Sequence, residues 1–183
     1  MKINLATSNL GKVKEFKVAL EPKIKVNHIR LEYKEMRSDD PEEIARDSAE
    51  MLAATLNKPV VCEDSGLFIK ALNDFPGTCS KYIHKRIGLQ GLLMLMEGKK
   101  DRTAYYRSAV AYCQPGKKAV SFFGEEMGTI AFKIRGLFGF GHDPIFIPRG
   151  SKKTYGEMPD AAKQKKFRKI AVLKLKSYLL KKL

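Results

Sequence analysis

Pro59-Val60-Val61-Cys62-Glu63-Asp64-Ser65-Gly66-Leu67-Phe68-Ile69 is the stretch on which the fold turns. Two apolar runs flank two adjacent carboxylates, a hydroxyl and a glycine. An apolar run opened by Pro and closed by Gly reads as a buried strand. Glu63 and Asp64 then fall at its C-terminal end, where open α/β sheets place ligand sites. Hard cations such as Mg²⁺ take carboxylate oxygens, keep several waters and bridge substrate phosphates. The competing reading is a solvated acidic turn.

Working toward the N-terminus, Asp40-Pro41-Glu42-Glu43 opens a helix with an N-cap, Pro at the first position and acids in the first turn. Ile44, Ala45, Ala49, Leu52 and Leu56 form its apolar stripe. Pro22 to Leu31 reads as a turn and strand, followed by a polar connection over Glu32 to Arg37. Met1 to Thr7 reads as a first strand and Val13 to Leu20 as a helix. Between them, Thr7-Ser8-Asn9-Leu10-Gly11-Lys12 puts backbone N–H groups at a helix N-terminus, a natural phosphate site. Lys12 adds a point charge beside it. The match to a P-loop is poor, because the first Gly is missing and no Ser or Thr follows Lys12.

Toward the C-terminus, a turn over Ala71 to Gly77 leads to short helices at Ser80–Ile87 and Leu89–Met96. Strands are expected at Thr103–Cys113, Ala119–Phe123, Gly128–Ile134 and Ile145–Pro148. Parallel βαβ elements followed by a meander imply a mixed sheet. Arg135 to Pro144 has spaced glycines and two Phe rings, which suits a binding loop with bare backbone and aromatic faces; a loop folded into the core is the alternative. A basic amphipathic helix is expected from Asp160 to Leu183.

A chain of 183 residues, 44% hydrophobic and 30% charged, fits one domain spanning 1–183 with a real core. No apolar run approaches the roughly 18 residues of a membrane span, and no membrane partner is expected. Three cysteines without metal-ligand spacing point to a reducing, cytoplasmic setting. The net charge of +15 favours an anionic partner, either nucleic acid or a polyphosphate. Much of it lies on the C-terminal segment, where a solvated helix face is the ordinary reading.

Four stretches, in order, resemble one family, the inosine triphosphate pyrophosphatases. Thr7 to Glu15 is similar to its T/S-x-N-x-x-K-x-x-E opening. Glu63-Asp64-Ser65-Gly66-Leu67, with Ala71-Leu72 and Phe75-Pro76-Gly77, resembles its EDSGL…AL…PG block. Phe140-Gly141-His142-Asp143-Pro144-Ile145-Phe146 resembles FG-aromatic-DP-x-F, and Thr154 to Met158 resembles T-x-A-E-M. The resemblance implies an α/β protein with a long mixed β-sheet flanked by helices, two lobes and a central nucleotide-binding cleft. It also implies a homodimer that hydrolyses ITP, dITP and XTP to monophosphate and pyrophosphate with Mg²⁺, Mn²⁺ being the alternative metal.

Carried over by residue, Asp64 and Lys12 would be catalytic, and Asp64, Glu35 and Glu63 would hold the metal. Thr7, Ser8, Asn9, Leu10, Gly11, Lys12 and Ser65 would hold phosphates, with Arg46 and Lys81 as further phosphate contacts. Phe140, Gly141, His142, Asp143, Lys163, Phe167 and Arg168 would recognise the base. Two departures bear on base choice. Lys166-Phe167-Arg168 stands where the family has S-H-R, and His142 replaces the usual Tyr or Trp. Phe167 either points into the core or stacks on the base. A relative that cleaves other modified nucleotides, a basic nucleic-acid-binding module and a binding protein with a decayed site are the competing classes. No helix-turn-helix, RNP pattern or zinc-ligand set supports the second, so nucleic acid is not the expected partner.

Overall fold

In the computed structural model, which describes residues 1–181, the strands are β1 (Lys2–Ala6), β2 (Lys25–Ile29), β3 (Val60–Ile69), β4 (Pro76–Gly77), β5 (Thr103–Cys113), β6 (Val120–Ile130) and β7 (Phe146–Pro148). The helices are α1 (Leu10–Leu20), α2 (Pro41–Leu56), α3 (Ser80–Leu95), α4 (Ala161–Gln164) and α5 (Phe167–Leu180). The sheet has seven strands in the order β2-β1-β3-β5-β6-β7, with β4 on β3. It is mixed: β1 runs parallel to β2 and β3, whereas β4 is antiparallel to β3 and β7 to β6. Among the described residues, no helix is long and apolar enough to cross a membrane.

The chain divides into two compact units. The first comprises Met1–Asp64, Ser108–Gly124 and Lys166–Leu183, of which Lys182 and Leu183 lie outside the described residues. Its sheet is covered on both faces, and β3 shows why its sequence is nearly continuous in apolar residues. Successive strand side chains point to opposite faces. Val61 accordingly packs with Phe16 and Leu20 of α1 and Val172 and Leu175 of α5. Val60 and Cys62 pack with Ala45, Ala49, Leu52 and Ala53 of α2. The small residues of α2 let that helix approach closely. All three cysteines are free, and burial pushes the Cys62 thiol up to about 12, so this one is an inert core residue.

The second unit comprises Ser65–Arg107 and Glu125–Lys165. Its interior is more aromatic: Phe68 stacks on Tyr105 at 5.0 Å, and Phe146 contacts Tyr106 at 4.5 Å and Tyr155 at 5.9 Å between ring centroids. The sequence places two short helices around Gly88, and α3 consists of two helical stretches that meet at a kink there, with Gly88 non-helical at φ +63. The expected strands at Ala119–Phe123 and Gly128–Ile134 are one continuous strand, β6, that stops at Ile130.

Two boundaries differ from expectation for clear reasons. Helix α1 starts at Leu10 rather than Val13, because Asn9 caps it. The expected helix over Asp160 to Leu183 is broken into α4 and α5, and its last two residues lie outside the described residues. The break is at Lys165, whose backbone turns extended (ψ 124) and whose ammonium is held by Asp143 at 2.6 Å.

Gly66 illustrates how tightly the acidic motif is built. A Cβ there would lie 2.1 Å from the Gly77 carbonyl oxygen, where β4 pairs with β3. The backbone on both sides is fixed, since Ser80 Oγ accepts the Leu67 N–H at 2.8 Å and donates to the Gly77 carbonyl at 2.7 Å. Gly66→Ala should therefore destabilise the protein by about 1–3 kcal/mol through overpacking. Denaturant unfolding checks this; an unchanged midpoint would show that β4 moves freely away from β3.

Candidate active site

The working residues of the first unit are assembled by α1, β3, β5 and α5. The turn between β1 and α1 is fixed by its own side chains. Asn9 N–H donates to Thr7 Oγ1 at 3.1 Å, and Asn9 Oδ1 accepts the N–H groups of Gly11 and Lys12 at 2.9 and 3.3 Å. This satisfies two of the donors a helix N-terminus leaves open. It also projects Lys12 toward β3. There the Lys12 ammonium donates to the Glu63 carbonyl oxygen at 2.9 Å and pairs with Glu63 Oε2 at 2.8 Å.

Glu63 is the centre of a buried charge cluster. Its Oε1 accepts from Ser108 Oγ of β5 at 2.5 Å and from Arg168 Nε of α5 at 3.0 Å. Arg168 Nη1 in turn pairs with Glu15 of α1. Burial alone would raise the Glu63 carboxyl, but the charges of Arg168 and Lys12 outweigh it and hold the group down at about 2. Burial works against the Lys12 ammonium too, and the carboxylates of Glu63 and Asp64 more than offset it, so its pKa is raised. Three carboxyl groups (Glu15, Glu63, Asp64) thus face two cations (Lys12, Arg168). Asp64, the next residue of β3, is buried as well, and its carboxylate acts on the Lys12 ammonium.

This arrangement bears on a metal. Among the described residues no three His, Cys, Asp or Glu side chains gather as a metal cage. Both Glu63 oxygens face cations or a hydroxyl, Lys12 on one and Ser108 and Arg168 on the other, and Asp64 is the adjacent carboxylate. Glu35 is exposed and its charge is felt by Tyr33 and Cys62. Mg²⁺ is commonly held by one or two carboxylates together with substrate phosphates rather than by an all-protein cage. The donor set fits a metal that arrives with a phosphate ligand.

The remaining residues expected at phosphates differ in exposure. Thr7, Ser8 and Ser65 are half-buried and Leu10 is exposed. Arg46 lies on α2, 3.8 Å from Glu42, and Lys81 is exposed in the first turn of α3.

In the second unit, the Arg135–Pro144 loop is folded back on itself. Arg135 N–H donates to the Pro144 carbonyl and Phe138 N–H to that of Gly156, both at 2.9 Å. Asp143 is its anchor: Oδ2 accepts the Phe140 N–H at 2.7 Å and pairs with Lys165 Nζ at 2.6 Å. Gly139, at φ +77, is required because a Cβ there would meet Asp143 Oδ2 at 2.1 Å. The Lys165 ammonium also sits 4.0 Å from the Phe140 ring centroid, a desolvated cation–π contact. Next to Asp143, His142 is 4% exposed and meets the His84 ring edge-on at 5.1 Å. Burial, with a smaller contribution from His84, lowers the His142 imidazole to about 3.

The C-terminal segment therefore divides its expected roles. Lys163 is exposed and 3.8 Å from Asp160. Phe167 points into the core, 2% exposed, with the Arg168 guanidinium 4.8 Å over its ring. Arg168 belongs to the Glu15–Glu63 cluster. Lys165, which sequence reasoning left unremarked in the run Lys163-Gln164-Lys165-Lys166, is a cation that meets the Phe140–Asp143 loop. Nothing in that run separates the buried lysine from its exposed neighbours. Ser108 was missed as well, being one small residue in an apolar strand, whereas Glu15 lay inside a recognised motif without a role.

A family model described as the Ham1 family matches residues 3–178. The chain belongs to this family. It is 48% identical over 159 residues to a dITP/XTP pyrophosphatase of Methanopyrus kandleri, covering 86% of this chain and 85% of that protein. It is 43% identical over 159 residues to a dITP/XTP pyrophosphatase of Saccharolobus solfataricus, covering 86% of this chain and 82% of that one. Among solved structures it is similar to the Ham1 protein of Staphylococcus aureus, with a TM-score of 0.84, 30% identity and full coverage of both chains. Ham1 membership agrees with the mixed α/β sheet and with the family resemblance of the four sequence motifs.

The burial of His142 has a pH signature. Its folded value of about 3 lies below the ordinary 6.5, so as pH falls the unfolded chain takes the proton first. The stability linked to this group is complete above about pH 6.5 and is lost as pH falls toward about 3. Between pH 7 and 4.5 the parent should lose about 2 kcal/mol more stability than His142→Gln. Equal losses in denaturant titrations would place the imidazole in contact with water.

Proposed function

We infer that this chain hydrolyses non-standard purine nucleoside triphosphates (ITP, dITP, XTP) to the monophosphate and pyrophosphate, with Mg²⁺ or alternatively Mn²⁺ as the metal. The observation that carries this reading is the division of labour between two adjacent acids. Glu63 is spent on Lys12 and Arg168, while Asp64 beside it, buried and felt by the Lys12 ammonium, is the acid that the family resemblance assigns to the metal and the water. The relatives support the substrate class: both are dITP/XTP pyrophosphatases.

Water attacks the α-phosphorus, and the bond from that phosphorus to the oxygen bridging toward the β-phosphorus breaks. The nucleoside monophosphate and pyrophosphate then separate, and the water's proton leaves to solvent. Asp64 orients that water and accepts a hydrogen bond from it. Lys12 has three N–H donors, two of them held by Glu63, so its third faces negative charge on a phosphate oxygen without the side chain having to be reordered. The metal, when bound, supplies further neutralisation of the phosphate oxygens. Asn9 holds the turn that carries Lys12.

On the base, Phe140 to Asp143 is the recognising loop, in keeping with the family resemblance, and Lys165 is a cation held against it. A homodimer in the cytoplasm is the assembly and location this reading assigns, supported by that resemblance.

The test is a panel of ITP, XTP, dITP, ATP, GTP and dUTP with pyrophosphate and orthophosphate measured separately. ITP and XTP should be turned over fastest and pyrophosphate should appear first. Primary release of orthophosphate, or equal turnover of all six, would overturn the assignment.

A further inference from the structure

The net charge of +15 is larger than a triphosphate site requires, and the cluster around Glu63 does not use it. Part of it is gathered in the second unit. Lys100 and Arg102, just before β5, and Phe132, Lys133 and Arg135, beyond the end of β6, line an open groove of about 790 Å³ together with Ile147. No residue assigned above to phosphate, metal or base is in its lining.

Three features of this groove point to one kind of ligand. First, its cations are largely uncompensated. Arg102 spends its donors on backbone carbonyls, those of Ile130 at 2.7 Å, Ala131 at 2.8 Å and Met96 at 3.3 Å, which fix the guanidinium without cancelling its charge. Lys100 and Lys133 have no acidic partner among the described residues. Arg135 is paired, with Glu157 at 2.8 Å. The one acid of the lining, Asp101, accepts the Thr103 N–H at 2.8 Å.

Second, the aromatic ring is presented rather than packed. Phe132 is 85% exposed, and its contact is the Arg102 guanidinium 4.3 Å from the ring centroid. One face is thereby backed by a fixed cation and the ring stays in water.

Third, the combination selects against a second copy of this chain. A two-fold interface would bring the same cations of both copies together. An exposed ring flanked by fixed cations suits a polymer that alternates planar bases with phosphates, since bases stack on aromatic side chains and phosphates release counterions to Lys and Arg.

We propose that this groove binds single-stranded nucleic acid, with a base stacked on the open face of Phe132 and the neighbouring phosphates on Lys100, Arg102 and Lys133. Recognition is by backbone charge and stacking and is indifferent to sequence. The hydrolytic reaction proposed above does not depend on it.

The experiment measures binding of fluorescein-labelled dT20 to the full chain by anisotropy between 20 and 200 mM salt, in parallel with ITP hydrolysis. Three uncompensated cations predict a log–log salt slope of about −2, at roughly −0.7 per phosphate on a single strand. Phe132→Ala should weaken binding about tenfold. Lys133→Ala should make the slope shallower by about 0.7. Both substitutions lie at exposed positions and should leave ITP turnover and the unfolding midpoint unchanged. Three outcomes would overturn the proposal. One is no binding of dT20 at 20 mM salt, and another is binding that neither substitution alters, which would assign the affinity to another basic face. The third is a change from dimer to monomer in Phe132→Ala on light scattering, which would give the groove to a second copy.

Discussion

The first unit depends on one buried anion. Glu63 lies on the central strand β3, is 6% exposed, and is reached by Lys12 from α1, Ser108 from β5 and Arg168 from α5. A carboxylate removed from water in this way is tolerable only when its lone pairs are filled, and removing a partner from such a group costs several kcal/mol. The cluster therefore ties two helices to two strands at one point. It also adjoins Asp64, the next residue of β3, whose carboxylate acts on the same Lys12 ammonium.

The second unit repeats the device with different parts. Asp143, 1% exposed, accepts the Phe140 N–H and pairs with Lys165, and the loop that carries it closes over Gly139 and Gly136, both at positive φ. In each unit an acid from a recognised motif is neutralised by a lysine or arginine distant in sequence. Such pairs give conformational uniqueness where an apolar contact would allow several packings, at the cost of desolvating both charges.

What could be read from the chain before folding was its periodicity and its punctuation. The continuous apolar run of β3 signalled a strand covered on both faces, and α1, α2 and α5 cover it. Asp40-Pro41 signalled the start of α2, and Gly88 the bend in α3. The helix boundary at Leu10 was missed because the cap is a side-chain contact of Asn9, and no pattern of apolar residues reports it. The C-terminal segment was misread for a related reason. Its lysines are alike in sequence and differ only in which of them is buried against Asp143. Phe167 and Arg168 likewise lie where the family's polar S-H-R would be, but their surroundings come from β3 and α1, some 105 and 153 residues away along the chain for the two Arg168 contacts. Long-range ion pairs of this kind have no local signature.

The account stands on the claim that two consecutive carboxylates do different work, Glu63 holding the fold and Asp64 serving the reaction. The most direct measurement compares Glu63→Gln with Asp64→Asn for both unfolding free energy and kcat/KM on ITP. Glu63→Gln should lose about 3–5 kcal/mol of stability, since Lys12 and Arg168 are left facing a neutral group. Asp64→Asn should keep its stability within about 1 kcal/mol and lose more than about a hundredfold in kcat/KM. A folded Asp64→Asn protein with parental turnover, or a Glu63→Gln protein as stable as the parent, would contradict the account.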